Sequence, residues 1–189
     1  SGWDKMINFW DGKTANKPVL SITSSERVYA MDCIDNQVAF GSADQQVIVY
    51  DVRNTNQQLA NCTGKDNKSQ ITMLKLFPSK DGLAYSCIEG RIFAQFFPIP
   101  GKKQPDNFSF RVHRDTTKKL IYSANCISFH PQNGVLCSGG GDGIYSIWDL
   151  RKGDKCGQDV KYNLPITACA FSPDGKFLAH AIGYDWSRV

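Results

Sequence analysis

Four stretches of the chain repeat one arrangement of apolar and polar positions. Segments 28–33, 71–77, 126–130 and 166–171 alternate or run apolar, as strands buried on one or both faces do. Turn residues follow each: Asp35-Asn36, Pro78-Ser79-Lys80-Asp81-Gly82, Pro131-Gln132-Asn133-Gly134 and Pro173-Asp174-Gly175. Proline fixes φ in such turns, and Asn-Gly or Asp-Gly supplies the positive φ of a tight hairpin. A second apolar run comes next, at 38–41, 83–87, 135–138 and 177–181. No segment of helical length keeps a 3.6-residue apolar period, so the pattern predicts an all-β chain.

An acidic turn and a third strand complete the unit. Asp4 leads to Trp10-Asp11, Asp44 to Tyr50-Asp51 and Asp142 to Trp148-Asp149, with alternating apolar residues between. Glu89 heads a weaker copy with Gln95 at the aromatic position, and Asp185 opens a fifth. The acids at 4, 44, 89, 142 and 185 are 40, 45, 53 and 43 residues apart. Short antiparallel strands at this period, with Trp-Asp closing the third strand, mark the four-stranded blades of a WD40-type β-propeller. A single blade cannot bury both its faces; blades stacked around an axis make a continuous core.

In such a blade the turn acid is expected to accept backbone N–H groups, and the aromatic to pack between neighbouring sheets. The Gly-His that opens many such repeats is missing, so their His-centred hydrogen-bond network is expected to be absent or replaced. The units read as a blade end at 1–18, blades at 19–64, 65–114 and 115–163, and an incomplete blade at 164–189. That is about four blades where a propeller of this type more often has about seven. The expectation is a propeller fragment with open sheet edges, which favour pairing with another chain.

Composition narrows the function classes. Among 189 residues, 22 Lys and Arg face 18 Asp and Glu, a net charge of +4 that permits acidic partners without demanding nucleic acid. No apolar run approaches the roughly 18 residues of a membrane-spanning helix, and residues 1–5 lack the layout of a secretory signal. The seven cysteines are odd in number, form no C-x-x-C pair and lie mostly in apolar stretches, which predicts reduced, buried thiols in an intracellular protein. With only His113, His130 and His180 besides, no zinc spacing exists, and no metal or other cofactor is expected.

Enzyme signatures fail on inspection. His113-Arg114-Asp115 is similar to a kinase catalytic loop, yet lacks the later Asn and the Asp-Phe-Gly. Gly-rich 139–143 lacks a Gly-Lys-Ser/Thr ending, and no Ser or Cys sits in a nucleophile-elbow pattern. A non-enzymatic chain is expected.

Several stretches carry a narrower resemblance: Trp3-Asp4-Lys5, Gln-Val-Ile-Val-Tyr-Asp-Val-Arg-Asn at 46–54, Ser-Cys-Ile-Glu-Gly-Arg at 86–91, Asp-Asn-Phe-Ser-Phe-Arg-Val-His-Arg at 106–114, and Tyr184-Asp185-Trp186-Ser187. In these the chain resembles the WD-repeat family of nuclear-pore messenger-RNA export factors, whose near relatives are the spindle-checkpoint propellers. Glu-Gly-Arg and Phe-x-x-His-Arg are similar to both branches; Asp-Asn-Phe-Ser-Phe and Tyr-Asp-Trp-Ser are similar to the export branch.

The resemblance implies a scaffold that binds a GLEBS motif, an acidic, partly apolar hairpin found in a nucleoporin and, for the checkpoint branch, in checkpoint kinases. It assigns carboxylate recognition to Arg91 and Lys155, the first as a planar fork and the second as a point charge. From the residues alone, Arg91 is a solvated turn residue beside Glu89. The resemblance further implies an aromatic, basic edge for single-stranded RNA at Phe110 and Trp148. Leu150 stands where a basic residue is expected, so Arg151 and Lys152 would replace it. Two inserts, 98–107 with Lys102-Lys103 and 114–120 with Lys118-Lys119, read as solvated loops or as a shared basic patch.

Overall fold

The computed structural model describes residues 1–13, 16–64, 67–98, 101, 103 and 105–186; Lys102 and Ser187 thus lie outside the described residues. Every element is a strand. β1 (Met6–Phe9) and β2 (Leu20–Thr23) form a two-stranded ladder. β3 (Val28–Ile34), β4 (Gln37–Ser42), β5 (Val47–Asp51) and β6 (Asn54–Asn61) make a four-stranded antiparallel meander. A second meander holds β7 (Ile71–Leu76), β8 (Gly82–Cys87), β9 (Arg91–Phe96) and β10 (Phe108–Arg111). The short hairpin of β11 (Arg114–Asp115) and β12 (Leu120–Ile121) leads into a third, of β13 (Ala124–Phe129), β14 (Leu136–Gly140), β15 (Ile144–Asp149) and β16 (Asp154–Lys161). β17 (Ile166–Phe171) and β18 (Leu178–Ile182) pair last.

β2 falls inside the 19–64 unit of the sequence reading, yet its partner is β1, so the sheet boundary runs between Thr23 and Val28. The physical reason is that the alternation of Leu20-Ser21-Ile22-Thr23 shows a half-buried strand without showing which neighbour it pairs with.

The sheets stack through their first strands: β3 touches β7, β7 touches β13, and β13 touches β17. This is the radial arrangement of propeller blades, first strand innermost. Apolar clusters fill the gaps. Val47, Leu74, Tyr85 and Phe93 lie between the first two meanders, and Ala84, Ile92, Ile127 and Leu136 between the second and third. Middle strands are covered on both faces, as in β8, where all six residues are buried. Outer strands have solvent around them, and β6 and β16 are correspondingly polar.

Each innermost strand carries a register shift at the same place, at Tyr29, Thr72, Asn125 and Thr167. A bulge frees one residue from the ladder and re-aims its side chain. Thr72 uses that freedom to donate to the Ala124 carbonyl at 2.5 Å, and Asn125 to donate to the Ile166 carbonyl at 3.1 Å. Further along, Asp32 accepts from Leu76 N (2.9 Å) and from Lys75 Nζ (2.8 Å), while Ser128 accepts from Phe171 N at 3.1 Å. Consecutive sheets are thus stitched at recurring positions. Close approach is also built in: a Cβ at Gly41 would lie 2.9 Å from Ile71, and one at Gly139 2.6 Å from Ile166.

Candidate functional site

Two of the repeat acids hold a turn amide as expected, and two others take side-chain donors. Asp4 accepts from Met6 N at 3.0 Å and Asp142 from Ile144 N at 3.0 Å. Asp44 takes a hydrogen bond from the Ser42 hydroxyl, and Asp185 one from Asn125 Nδ2 at 3.1 Å. Glu89 does neither: its exposed side chain holds no turn amide among the described residues, and its carbonyl accepts from Arg114 Nη2 at 3.0 Å. The extra methylene of Glu takes its carboxylate past the amide two residues on, which Asp reaches in an Asx turn.

A His-centred network is present in the third meander, where Val112-His113 replaces the missing Gly-His. His113 supplies it from the segment between β10 and β11. Trp148 Nε1 donates to Ser138 Oγ (2.9 Å), which lies 3.1 Å from His113 Nε2, and His113 Nδ1 is 3.0 Å from Asp142 Oδ1. The Asp142 carboxylate can only accept, so Nδ1 carries the hydrogen and donates to it, and in that tautomer Nε2 accepts from the Ser138 hydroxyl. Four residues of four segments are fixed by one chain of bonds, all of it buried or nearly so. The signal lay in Val112-His113: the network needs the histidine, and a glycine before it is dispensable.

Trp148 packs as the repeat requires, with its ring centroid 5.0 Å from that of Phe110 across the gap between the second and third meanders. Tyr50 holds the equivalent place in the first meander, stacked on Phe40 at 6.1 Å. Trp10 does not: it follows the end of β1, outside any sheet of the described residues, and is 57% exposed.

The two residues assigned to carboxylate recognition stand in different sheets, Arg91 in the second meander toward its gap with the first and Lys155 in the third toward its gap with the second. Arg91 opens β9; its Nη1 donates to Ser109 Oγ at 3.0 Å and its guanidinium stands 6.0 Å from the centroid of Phe93, a residue of the cluster facing the first meander. It is half-buried and forms no ion pair among the described residues. Lys155 instead pairs across the β15–β16 ladder with Trp148, whose cluster faces the third meander's junction, and its Nζ lies 5.5 Å over that ring. It is already engaged by Asp159. Burial raises the Asp159 carboxyl, but the hydrogen bonds from Lys155 and Ser146 outweigh it and hold the group below its ordinary range.

Arg111 pairs with Arg91 across β9–β10 and lines, with Arg114, Asp142, Trp148, Lys155 and Asp159, a cleft of about 190 Å³. Its place in Phe-Arg-x-His-Arg was the available signal. Arg151 and Lys152 are not drawn into the aromatic edge. Their backbone amides wrap Asp149 (3.0 and 3.4 Å), their side chains are exposed, and Leu150 is buried against the core cluster that contains Phe110 and Trp148.

The WD domain, G-beta repeat family matches residues 108–149 and 156–187. With the stacked meanders, this makes the chain a WD40-repeat propeller fragment. Across 98% of its length it is 34% identical to the mRNA export factor GLE2 of Chaetomium thermophilum, covering 52% of that protein. Identity to Protein Rae1 of Drosophila melanogaster is 34%, and to the mitotic checkpoint protein BUB3.1 of Arabidopsis thaliana 33%, over 98% of the chain in both and 55% and 56% of the relatives. Its homologues are therefore the mRNA export factors and the mitotic checkpoint proteins, and the chain spans about half the length of these curated relatives.

Proposed function

We propose that the chain is part of a non-enzymatic scaffold of messenger-RNA export that docks an acidic GLEBS-type hairpin of a nucleoporin, with Arg91 as its carboxylate ligand. One observation carries the reading: Arg91 is a half-buried guanidinium, oriented by Ser109 and Phe93, with no acid to neutralise it among the described residues. A planar fork held ready in this way suits a carboxylate from outside. Lys155 joins as a second contact when Asp159 releases it. The reading places the protein in the nucleus, at the nuclear pore and in the cytoplasm.

Calorimetric titration with the nucleoporin peptide tests it. Arg91→Glu should weaken binding by roughly 2–4 kcal/mol if the pair is desolvated; wild-type affinity in that variant would sink the assignment. The near-equal identity to export and checkpoint relatives supports a second reading, an adaptor for checkpoint kinases. Clear preference for a kinase-derived peptide in the same titration would select it. The cleft beside Trp148, where Arg111, Arg114 and Lys155 outnumber Asp142 and Asp159, supports RNA contact as an added activity. That contact should fall steeply with salt and be lost in Phe110→Ala; retained RNA affinity in Phe110→Ala would count against it.

A further inference from the structure

Gln95 occupies the position where the other units carry Trp148 and Tyr50. Where Trp148 meets Phe110 across its gap, the shorter, polar Gln95 leaves open a cavity of about 480 Å³ between the end of β6 and the second meander. Phe93 and Phe108 give it apolar walls, and Arg91 stands at its rim through its bond to Ser109.

The hydrogen-bonding character of the lining follows from the bonds already made. Asn61 Oδ1 accepts from Thr63 N (3.1 Å) and Asn107 Oδ1 from Phe96 N (2.8 Å). Because a backbone N–H can only donate, these bonds fix which atom of each carboxamide is oxygen and leave both NH2 groups free to donate. Thr63 Oγ1 accepts from Val47 N and Ser109 Oγ from Arg91, so both hydroxyl hydrogens are free as well. Gln95 is buried as a residue, and its carboxamide, which forms no hydrogen bond among the described residues, lines the open cavity with its donors free for a ligand. Among the described lining side chains free donors outnumber free acceptors, and Arg91 brings a positive charge to the rim.

We infer that this cavity receives a carboxylate side chain of an acidic peptide, with Gln95 and Asn107 donating to it and Arg91 supplying the countercharge. A single guanidinium among neutral donors matches one negative charge; a phosphate dianion would call for a second cation. The aromatic walls suit the methylenes that carry a glutamate's carboxylate. The inference rests on the reading of Arg91 as ligand of an acidic segment, and extends that site by a cavity and a second specificity residue.

The test titrates the full chain with the acidic nucleoporin peptide and with a copy whose glutamates are glutamines. Gln95→Glu places a negative charge in the cavity, Gln95→Trp fills it, and Gln95→Leu removes the amide at similar size, with thermal melts to check folding. Each folded variant should bind the acidic peptide at least tenfold more weakly, and the loss should shrink several-fold with the glutamine peptide. Wild-type affinity in the folded Gln95 variants while Arg91→Glu binds weakly would overturn this inference alone. Absence of peptide binding by the wild type, or indifference to Arg91, would overturn both. If oligouridine binding fell in the Gln95 variants while peptide binding held, the cavity would belong to nucleic acid and the inference would be wrong.

Discussion

Replacing His113 by alanine probes the network that ties the third meander to the segment before it. The imidazole is buried, and its removal takes the donor from Asp142, whose side chain is only 9% exposed. A hydrogen bond to a charged group contributes about 1.5–3 kcal/mol, and leaving the partner buried and unsatisfied costs at least that. Ser138, completely buried, loses its acceptor at 3.1 Å, and the vacated ring leaves a cavity with its own cost. Together these predict a loss of about 3–5 kcal/mol, a large part of the 5–15 kcal/mol typical of a folded domain. Urea unfolding followed by tryptophan fluorescence should show the midpoint falling by roughly 2 M at an unchanged slope of about 2 kcal/mol per M. Asp142→Ala should cost a similar amount, and the double variant clearly less than the sum, because both act on one bond. A loss below about 1 kcal/mol, or strict additivity, would refute the argument that the network is a unit.

Two other outcomes follow from the packing between sheets and from the thiols. Asp32→Ala removes the acceptor shared by Leu76 N and Lys75 Nζ, and should lower unfolding stability by about 1–3 kcal/mol; no change in the urea midpoint would show that the β3–β7 stitch is idle. Burial pushes the Cys62 thiol up from 9.0 to about 12, which disfavours the thiolate at any pH below that value, whereas Cys33 is exposed. A disulfide reagent at pH 8 should therefore modify Cys33 well before Cys62, with Cys62 reacting at an appreciable rate only on unfolding; equal rates in the native chain would contradict the burial.

The recurring bulges explain how a sequence with weakly matching repeats keeps one architecture. Thr72 and Asn125 differ in chemistry, yet each sits at the freed position of an innermost strand and donates to a carbonyl of the next. Asp32 and Ser128 likewise both receive an amide from the following sheet. The fold requires a donor or acceptor at these points and tolerates several side chains that provide one. Sequence identity between units is accordingly low while their spacing is kept.

Much of the fold was legible because its signals are local. Alternation, Pro-Asp-Gly turns and acids spaced by 40 to 53 residues each depend on a few neighbouring residues, and they determined the strands, the all-β class and the propeller. The outer strands β6 and β16 were not legible as separate elements, since solvent on their flanks imposes no apolar pattern, and β2, though it alternates, is only four residues long. Only the tertiary structure brought His113 to Asp142 across 29 residues, parted Arg91 from Lys155 into the gaps on either side of the second meander, and turned the missing aromatic at Gln95 into a cavity. Those are relations between sheets, fixed by how blades stack rather than by what any short stretch of chain prefers.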